Sequence, residues 1–180
     1  MQWLNEPPNW KTTSEGLELT TGPKTDFWRI THDNGDRHSG HFYYDTSSGS
    51  RIVSVRLEGQ FNALYDHAGL MVRLDEQNWI KCGIEYVNGV HHRSVVVTRG
   101  PSDWSILPGD AGESVWVRVA RVAHTIEVSF SSDGKEWFLH RQCYFPPNPA
   151  VQIGFMAASP KGDGFRVRFT NFTDEKTELA

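Results

Sequence analysis

Two cysteines in 180 residues are too few for the disulfide framework of small secreted domains, and a chain this long buries enough core without one. Helix signals are missing too, since no segment repeats its apolar residues at the spacing of an amphipathic helix. No apolar run approaches the roughly 18 residues of a membrane span, so no membrane is expected. Positive charge is not in excess: 18 Lys and Arg against 22 Asp and Glu leave a net charge of −4. That balance excludes nucleic acid as the main partner. There is no Gly-x-Gly-x-x-Gly turn, phosphate-cradling loop or Gly-x-Ser-x-Gly elbow, and no cofactor is expected.

The N-terminal run Met1 to Pro8 has neither the basic start nor the apolar stretch of a secretory signal, which predicts a cytoplasmic protein. Cys82 and Cys143 then read as buried free thiols, and the glycosylation acceptor Asn171-Phe172-Thr173 is idle.

What the chain does have is aromatic residues, with 7 Trp, 5 Tyr and 10 Phe, spread among 16 Gly and 9 Pro. Val115, Val117 and Val119 alternate with Trp116, Arg118 and Ala120, and Ile126, Val128 and Phe130 resume the period of two after a turn near 122–125. Ser132-Asp133-Gly134-Lys135 marks another turn. Segments 52–57, 94–98 and 165–169 are short and rich in β-branched or aromatic residues, and turn clusters recur every 8 to 15 residues. The pattern predicts an all-β, antiparallel two-sheet β-sandwich forming a single domain over 1–180.

Segment 69–98 can be registered. A loop at Glu76-Gln77-Asn78 would pair Leu74 with Ile80 and Val72 with Cys82; the Asn88-Gly89 turn pairs Val87 with Val90, Glu85 with His92 and Gly83 with Ser94. One face then collects Leu70, Val72, Leu74, Ile80, Cys82, Ile84, Val95 and Val97 for the core. The other collects Met71, Arg73, Asp75, Trp79, Lys81, Glu85, His92, Ser94 and Thr98. A one-residue slip would bury Arg73, Lys81 and Glu85 in the core, so the faces are well specified.

An exposed Trp79 beside Arg73, Lys81, Glu85, His92 and Ser94 suits a sugar, whose apolar face stacks on indole while its hydroxyls meet charged groups. The competing reading is a solvated outer face with weak cross-strand ion pairs. His41, Tyr43 and Trp104 would extend the surface. Catalysis would rest on Glu85 and needs a second carboxyl, for which Asp75 lies far along the hairpin and Asp66 or Asp103 are loop candidates. His92 pointing at Glu85 would make a proton relay. The run 32–41 holds His32, Asp36, His38 and His41, which could take a divalent ion or merely form a loop. The Arg residues of segments 116–121 and 165–169 are assigned to outer strand faces.

Asp26-Phe27-Trp28-Arg29, Gly40-His41-Phe42-Tyr43, Ala68 to Arg73, Trp79 to Glu85, Ser102 to Ser105, Ser131 to Trp137 and Phe165 to Phe172 together resemble a known group. It is the concanavalin A-like jelly-roll family of unknown function that includes the regulation-of-enolase protein. The resemblance covers about residues 3 to 174 and implies a two-sheet jelly roll with a concave sheet, in a fold whose relatives bind or cleave glycans. It carries over no catalytic residues, because the family has no assigned activity. Three functions remain open: non-catalytic binding of a carbohydrate or small polar metabolite, cytosolic regulation by docking on a metabolic enzyme, and glycoside hydrolysis using Glu85.

Overall fold

The computed structural model describes residues 1–147 and 150–177. Strands account for all the regular structure among them, and no helix is long and apolar enough to cross a membrane. One sheet holds, in spatial order, β1 (Gln2–Leu4), β6 (His41–Ser48), β15 (Ala150–Ala158), β8 (His67–Arg73), β9 (Asn78–Val87), β10 (Val90–Arg99) and β11 (Ser102–Ile106). The second holds β14 (Phe138–Tyr144), β13 (Thr125–Ser131), β12 (Ser114–Val122), β7 (Arg51–Gly59), β16 (Arg166–Lys176), β3 (Gly16–Thr20) and β2 (Asn9–Thr13). Every pairing is antiparallel, and the non-sequential neighbours are those of a jelly roll.

Period-two patterning explains the core. Val115, Val117 and Val119 of β12 and Ile126, Val128 and Phe130 of β13 point inward, where they meet Leu70, Val72, Ile80, Cys82, Ile84, Val95 and Val97 of the first sheet. The Asn88-Gly89 turn sets the β9–β10 register as expected, with Glu85 opposite His92 and Gly83 opposite Ser94. The β8–β9 register differs by two residues: Arg73 faces Trp79, and Val72 faces Ile80. Asp75 lies in the turn, where its carboxylate accepts the backbone N–H groups of Gln77 and Asn78, so that β8 stops at Arg73 and β9 already begins at Asn78. A shift of two preserves which face each side chain takes.

Two expectations need correcting at the periphery. Arg121 lies on the core side of β12, where it is buried and donates to Gly49 O at 3.0 Å. Cys143 is only partly buried, whereas Cys82 is fully enclosed and burial pushes its thiol well up, so it is inert.

Residues 22–40 form a strap across the outer face of the first sheet. Its small hairpin comprises β4 (Phe27–Arg29) and β5 (Asp36–His38). At one end Thr25 and Ser159 exchange hydrogen bonds; at the other, the Arg29 backbone N–H donates to Ser102 Oγ and its Nε to Gly100 O. Phe27 beneath the strap packs with Phe42, Met71, Trp79, Val96, Met156 and Ala158 in a second apolar cluster.

Candidate functional site

The strap turns half of the polar face into interior. Trp79, expected to be exposed, is completely buried; its ring centroid lies 6.1 Å from that of Phe27, and its indole N–H donates to Glu76 O. It is unavailable for stacking. Arg73 sits in the row of Trp79 and donates to Gln152 Oε1 at 2.8 Å, away from Glu85. Tyr43 faces the opposite way, packed with Trp3 and Phe155. His41 is buried as a structural bridge, with Nε2 accepting from Gly22 N at 2.9 Å and Nδ1 2.7 Å from Asn5 O.

The proposed metal residues are also committed elsewhere. Asp36 takes Arg29 at 2.8 Å and His38 at 2.7 Å, Asp33 is paired with Arg37, and His32 is exposed in a turn at φ 79°. Among the described residues no three metal-ligating side chains come together. The acids offered as partners for Glu85 have other work: Asp66 caps its loop through Asn62 N and Ala63 N, Asp75 ends a hairpin, and Asp103 is an exposed partner of Arg141.

On the other side of the strap the face does converge. Glu85 is buried, and its Oε2 accepts from Ser94 Oγ at 2.6 Å and from Trp104 Nε1 at 2.7 Å. Burial raises the Glu85 pKa; Lys81, Ser94 and Trp104 work against that rise, and Asp26 adds to it. Lys81, 2 % exposed, reaches Asp26 Oδ1 at 3.4 Å, a long contact for an ammonium with three protons to place. Opposite Glu85 on β8 stands His67, which is fully buried, and neither of its ring nitrogens has a hydrogen-bond partner among the described residues. Burial, helped by the Lys81 charge, holds its pKa well below the ordinary value, so the ring is neutral. His92 lies in the same row but turns Nδ1 toward Leu107 O at 3.2 Å, so the expected relay to Glu85 is not formed.

Two glycines leave the ground between these groups bare. Gly69 and Gly83 face each other across β8 and β9, one row from His67 and Glu85 and one from Met71 and Lys81. A Cβ on Gly69 would lie 1.8 Å from Cys82 O, and one on Gly83 would lie 1.9 Å from Ala68 O. Trp104 stands 40 % exposed, tethered through its Nε1, with Tyr65 edge-on at 6.2 Å. Tyr65 holds a left-handed φ of 69°, and its backbone N–H donates to Tyr86 O at 2.7 Å.

The structure therefore joins Lys81, Glu85, Ser94 and Trp104 from the expected set and separates Arg73, Trp79, His41 and Tyr43 from them. It adds His67 and Asp26, which sequence reasoning missed. For His67 the signal was present: counting back from Met71 and Gly69 in steps of two puts it on the same face.

The family described as protein of unknown function (DUF1349) matches residues 3–177. The chain is 37 % identical over 172 residues to Regulation of enolase protein 1 of Saccharomyces cerevisiae, covering 95 % of this chain and 87 % of the relative. A solved structure of a functionally unknown protein from Saccharomyces cerevisiae superimposes with a TM-score of 0.93 at 36 % identity, covering 98 % of this chain and 96 % of that one. The carbohydrate binding module CBM66 from Bacillus subtilis has a TM-score of 0.63 at 13 % identity, over 97 % of this chain and 95 % of that one, a likeness of fold alone.

Proposed function

Because the chain belongs to the DUF1349 family of proteins of unknown function, we propose its role from the buried polar cluster beside the exposed Trp104: it binds a small, neutral, polyhydroxylated ligand, a sugar ring, against Trp104 at the edge of that cluster. The observation that carries this reading is His67, whose buried imidazole has both nitrogens unpartnered among the described residues, beside Lys81 and Glu85. An unmet buried polar group costs about 1–3 kcal/mol, so it marks a place where a polar partner belongs.

The chemistry of the partner follows from what remains unspent. Lys81 has protons to donate, Glu85 Oε1 can accept, and neutral His67 offers one donor and one acceptor. Hydroxyl groups, which both donate and accept, answer such a set. Phosphates and carboxylates do not, because the cluster sets one cation against the carboxyls of Asp26 and Glu85. The half-exposed face of Trp104 supplies the apolar platform assigned to Trp79 before. The strap closes one side of the site, which suits a single ring or a chain end. Hydrolysis is the weaker use, since Asp26 is engaged with Lys81 and Glu85 has no free second carboxylate beside it among the described residues.

The test is an NMR titration of the full chain with neutral mono- and disaccharides, with glucuronate and glucose 6-phosphate alongside. Neutral sugars are expected to shift the Trp104 indole resonance, and His67→Asn to weaken binding about tenfold or more. Silence from every neutral sugar, or a preference for the anions, overturns the proposal.

A second reading, regulation of a metabolic enzyme by docking, rests on the name of the yeast relative and on edge strand β14, where Phe138 and Leu139 are 65 % and 58 % exposed. Its test is co-purification with enolase, which Leu139→Ser should abolish if β14 is the contact.

A further inference from the structure

We propose that His41 is an acid-released clasp for the strap: its neutral ring ties the two ends of residues 22–40 together, and a proton taken from solvent on Nε2 undoes the tie. The proposal stands apart from the sugar reading above. Strand β6 begins at His41, directly after the strap, and β1 pairs Leu4 with Phe42, which sets Asn5 beside the ring. His41 Nε2 lies 2.9 Å from the N–H of Gly22, the first residue of the strap, and Nδ1 lies 2.7 Å from Asn5 O. Asn5 in turn donates from Nδ2 to His38 O at 2.5 Å and to Gly40 O at 2.9 Å, at the other end of the strap. One imidazole thus closes a circuit from Gly22 to Gly40.

The partners fix the protonation state. Asn5 O can only accept, so Nδ1 carries the proton; the Gly22 N–H can only donate, so Nε2 holds a lone pair. The neutral Nδ1–H tautomer satisfies both. Imidazolium cannot, because its Nε2–H would face the Gly22 N–H. Burial favours the neutral ring and sets its pKa below the ordinary 6.5, with the Asn5 carbonyl working the other way. The charged groups on the elements around the ring are engaged elsewhere: Glu6 with Trp10, Lys24 with Asp163, Asp26 with Lys81, and Asp36 with Arg29 and His38. Opposite His41 on β15 stands Ala157, which carries no charge. A proton on His38 strengthens its contact with Asp36, so the release belongs to His41.

What the clasp holds makes its release consequential. Asn5 and Lys24, on either side of it, keep left-handed φ angles of 56° and 55°, backbone that relaxes once freed. Asp26 O accepts from the Gly40 N–H at 2.9 Å, and the Asp26 N–H donates to Ser39 Oγ at 3.1 Å, so the base of the strap moves as a unit. The same Asp26 faces Lys81 with its carboxylate, and the Phe27 ring lies so close over Gly40 that a Cβ there would meet it at 2.4 Å. Loosening the base therefore loosens the cover of Trp79 and the counter-charge of Lys81 together. At the far tip Arg29 stays bound to Ser102 and Gly100, so the strap slackens without leaving the sheet.

The experiment is amide hydrogen exchange followed by NMR on the full chain between pH 7.5 and 5.0, each rate corrected for its intrinsic pH dependence, with the His41 ring nitrogens titrated on the same sample. The Gly22, Asp26 and Gly40 amides are expected to lose protection roughly tenfold per pH unit below the His41 titration, while Arg29 and the β9 amides keep theirs. His41→Gln, whose Oε1 can still accept from Gly22 but takes no proton, should hold strap protection level across the range. Should that variant fold poorly, the wild-type chain alone decides, because strap opening and His41 protonation must share one midpoint. Strap protection that does not change with pH, separate midpoints, or an acid response retained in His41→Gln overturns the proposal. So does a uniform loss that includes Arg29 and β9, which is global acid unfolding.

Discussion

The strap divides one face of one sheet into two interiors of opposite character. On one side Phe27, Phe42, Met71, Trp79, Val96 and Met156 fill the space with apolar contacts. On the other, His67, Lys81, Glu85 and Ser94 are equally buried but only partly hydrogen-bonded. Strands β8 and β9 supply both halves, and Met71 is only four residues from His67. Similar burial thus does opposite work: the apolar half stabilises the fold, and the incompletely paired polar half costs stability.

The largest effect expected from this contrast is at Trp79. Trp79→Ala should cost about 3–5 kcal/mol in chemical denaturation, because it empties a fully enclosed site. A loss below about 1 kcal/mol would show that the apolar half does not hold the strap. Next comes Asp26→Asn, which among the described residues removes the carboxylate in contact with the buried Lys81 ammonium. Roughly 3 kcal/mol should be lost, the lower end of what breaking a buried pair costs, since the contact is long. Lys81→Met placed on top should recover much of it in a double-mutant cycle.

Smaller and of opposite sign is Glu85→Gln. The amide oxygen can keep the bonds from Ser94 and Trp104 while the buried charge is gone, so a gain of about 1 kcal/mol is expected, a rise in Tm of about 2–4 °C. Folding raises the Glu85 pKa above its ordinary 4.5, so the folded state binds more protons there. The wild-type carboxyl therefore loses stability as pH rises past that value, and the advantage of Glu85→Gln should be larger at pH 8 than at pH 4. An advantage that shrinks with rising pH would mean that the carboxylate is the favoured form.

The smallest effect belongs to His67. Its pKa is depressed below the ordinary 6.5, so the folded state takes up fewer protons and stability declines as pH falls below about 6.5. His67→Asn should flatten that decline in melting curves between pH 7 and 5. His41 and His140 are depressed in the same direction and will leave a residual slope.

These two halves were not equally legible in the amino-acid order. Strand faces follow from a period of two, and the two-residue shift at the Asp75 turn left every side chain on its expected face. The Asn88-Gly89 turn carried its register outright. What could not be read is the strap, because Phe27-Trp28-Arg29 and Asp36-Arg37-His38 are too short to carry a period and are anchored by contacts over 70 or more residues. Without the strap, Trp79 reads as an exposed platform; with it, Trp79 is enclosed and Trp104 is the indole left exposed near Glu85. Asp26 was invisible for the same reason, because it reaches Lys81 only when the strap crosses β9.

The bare floor constrains how such a pocket can change. Any side chain at Gly69 or Gly83 would run into the carbonyl of the strand opposite, so the center of the site offers no mutable position. Under the proposed sugar-binding reading, ligand choice would be retuned from the margins, at Trp104 on an edge strand and Tyr65 in a loop. Members of this family would be expected to share a floor and diverge at the mouth. A change of ligand would need one or two rim residues, not a new fold.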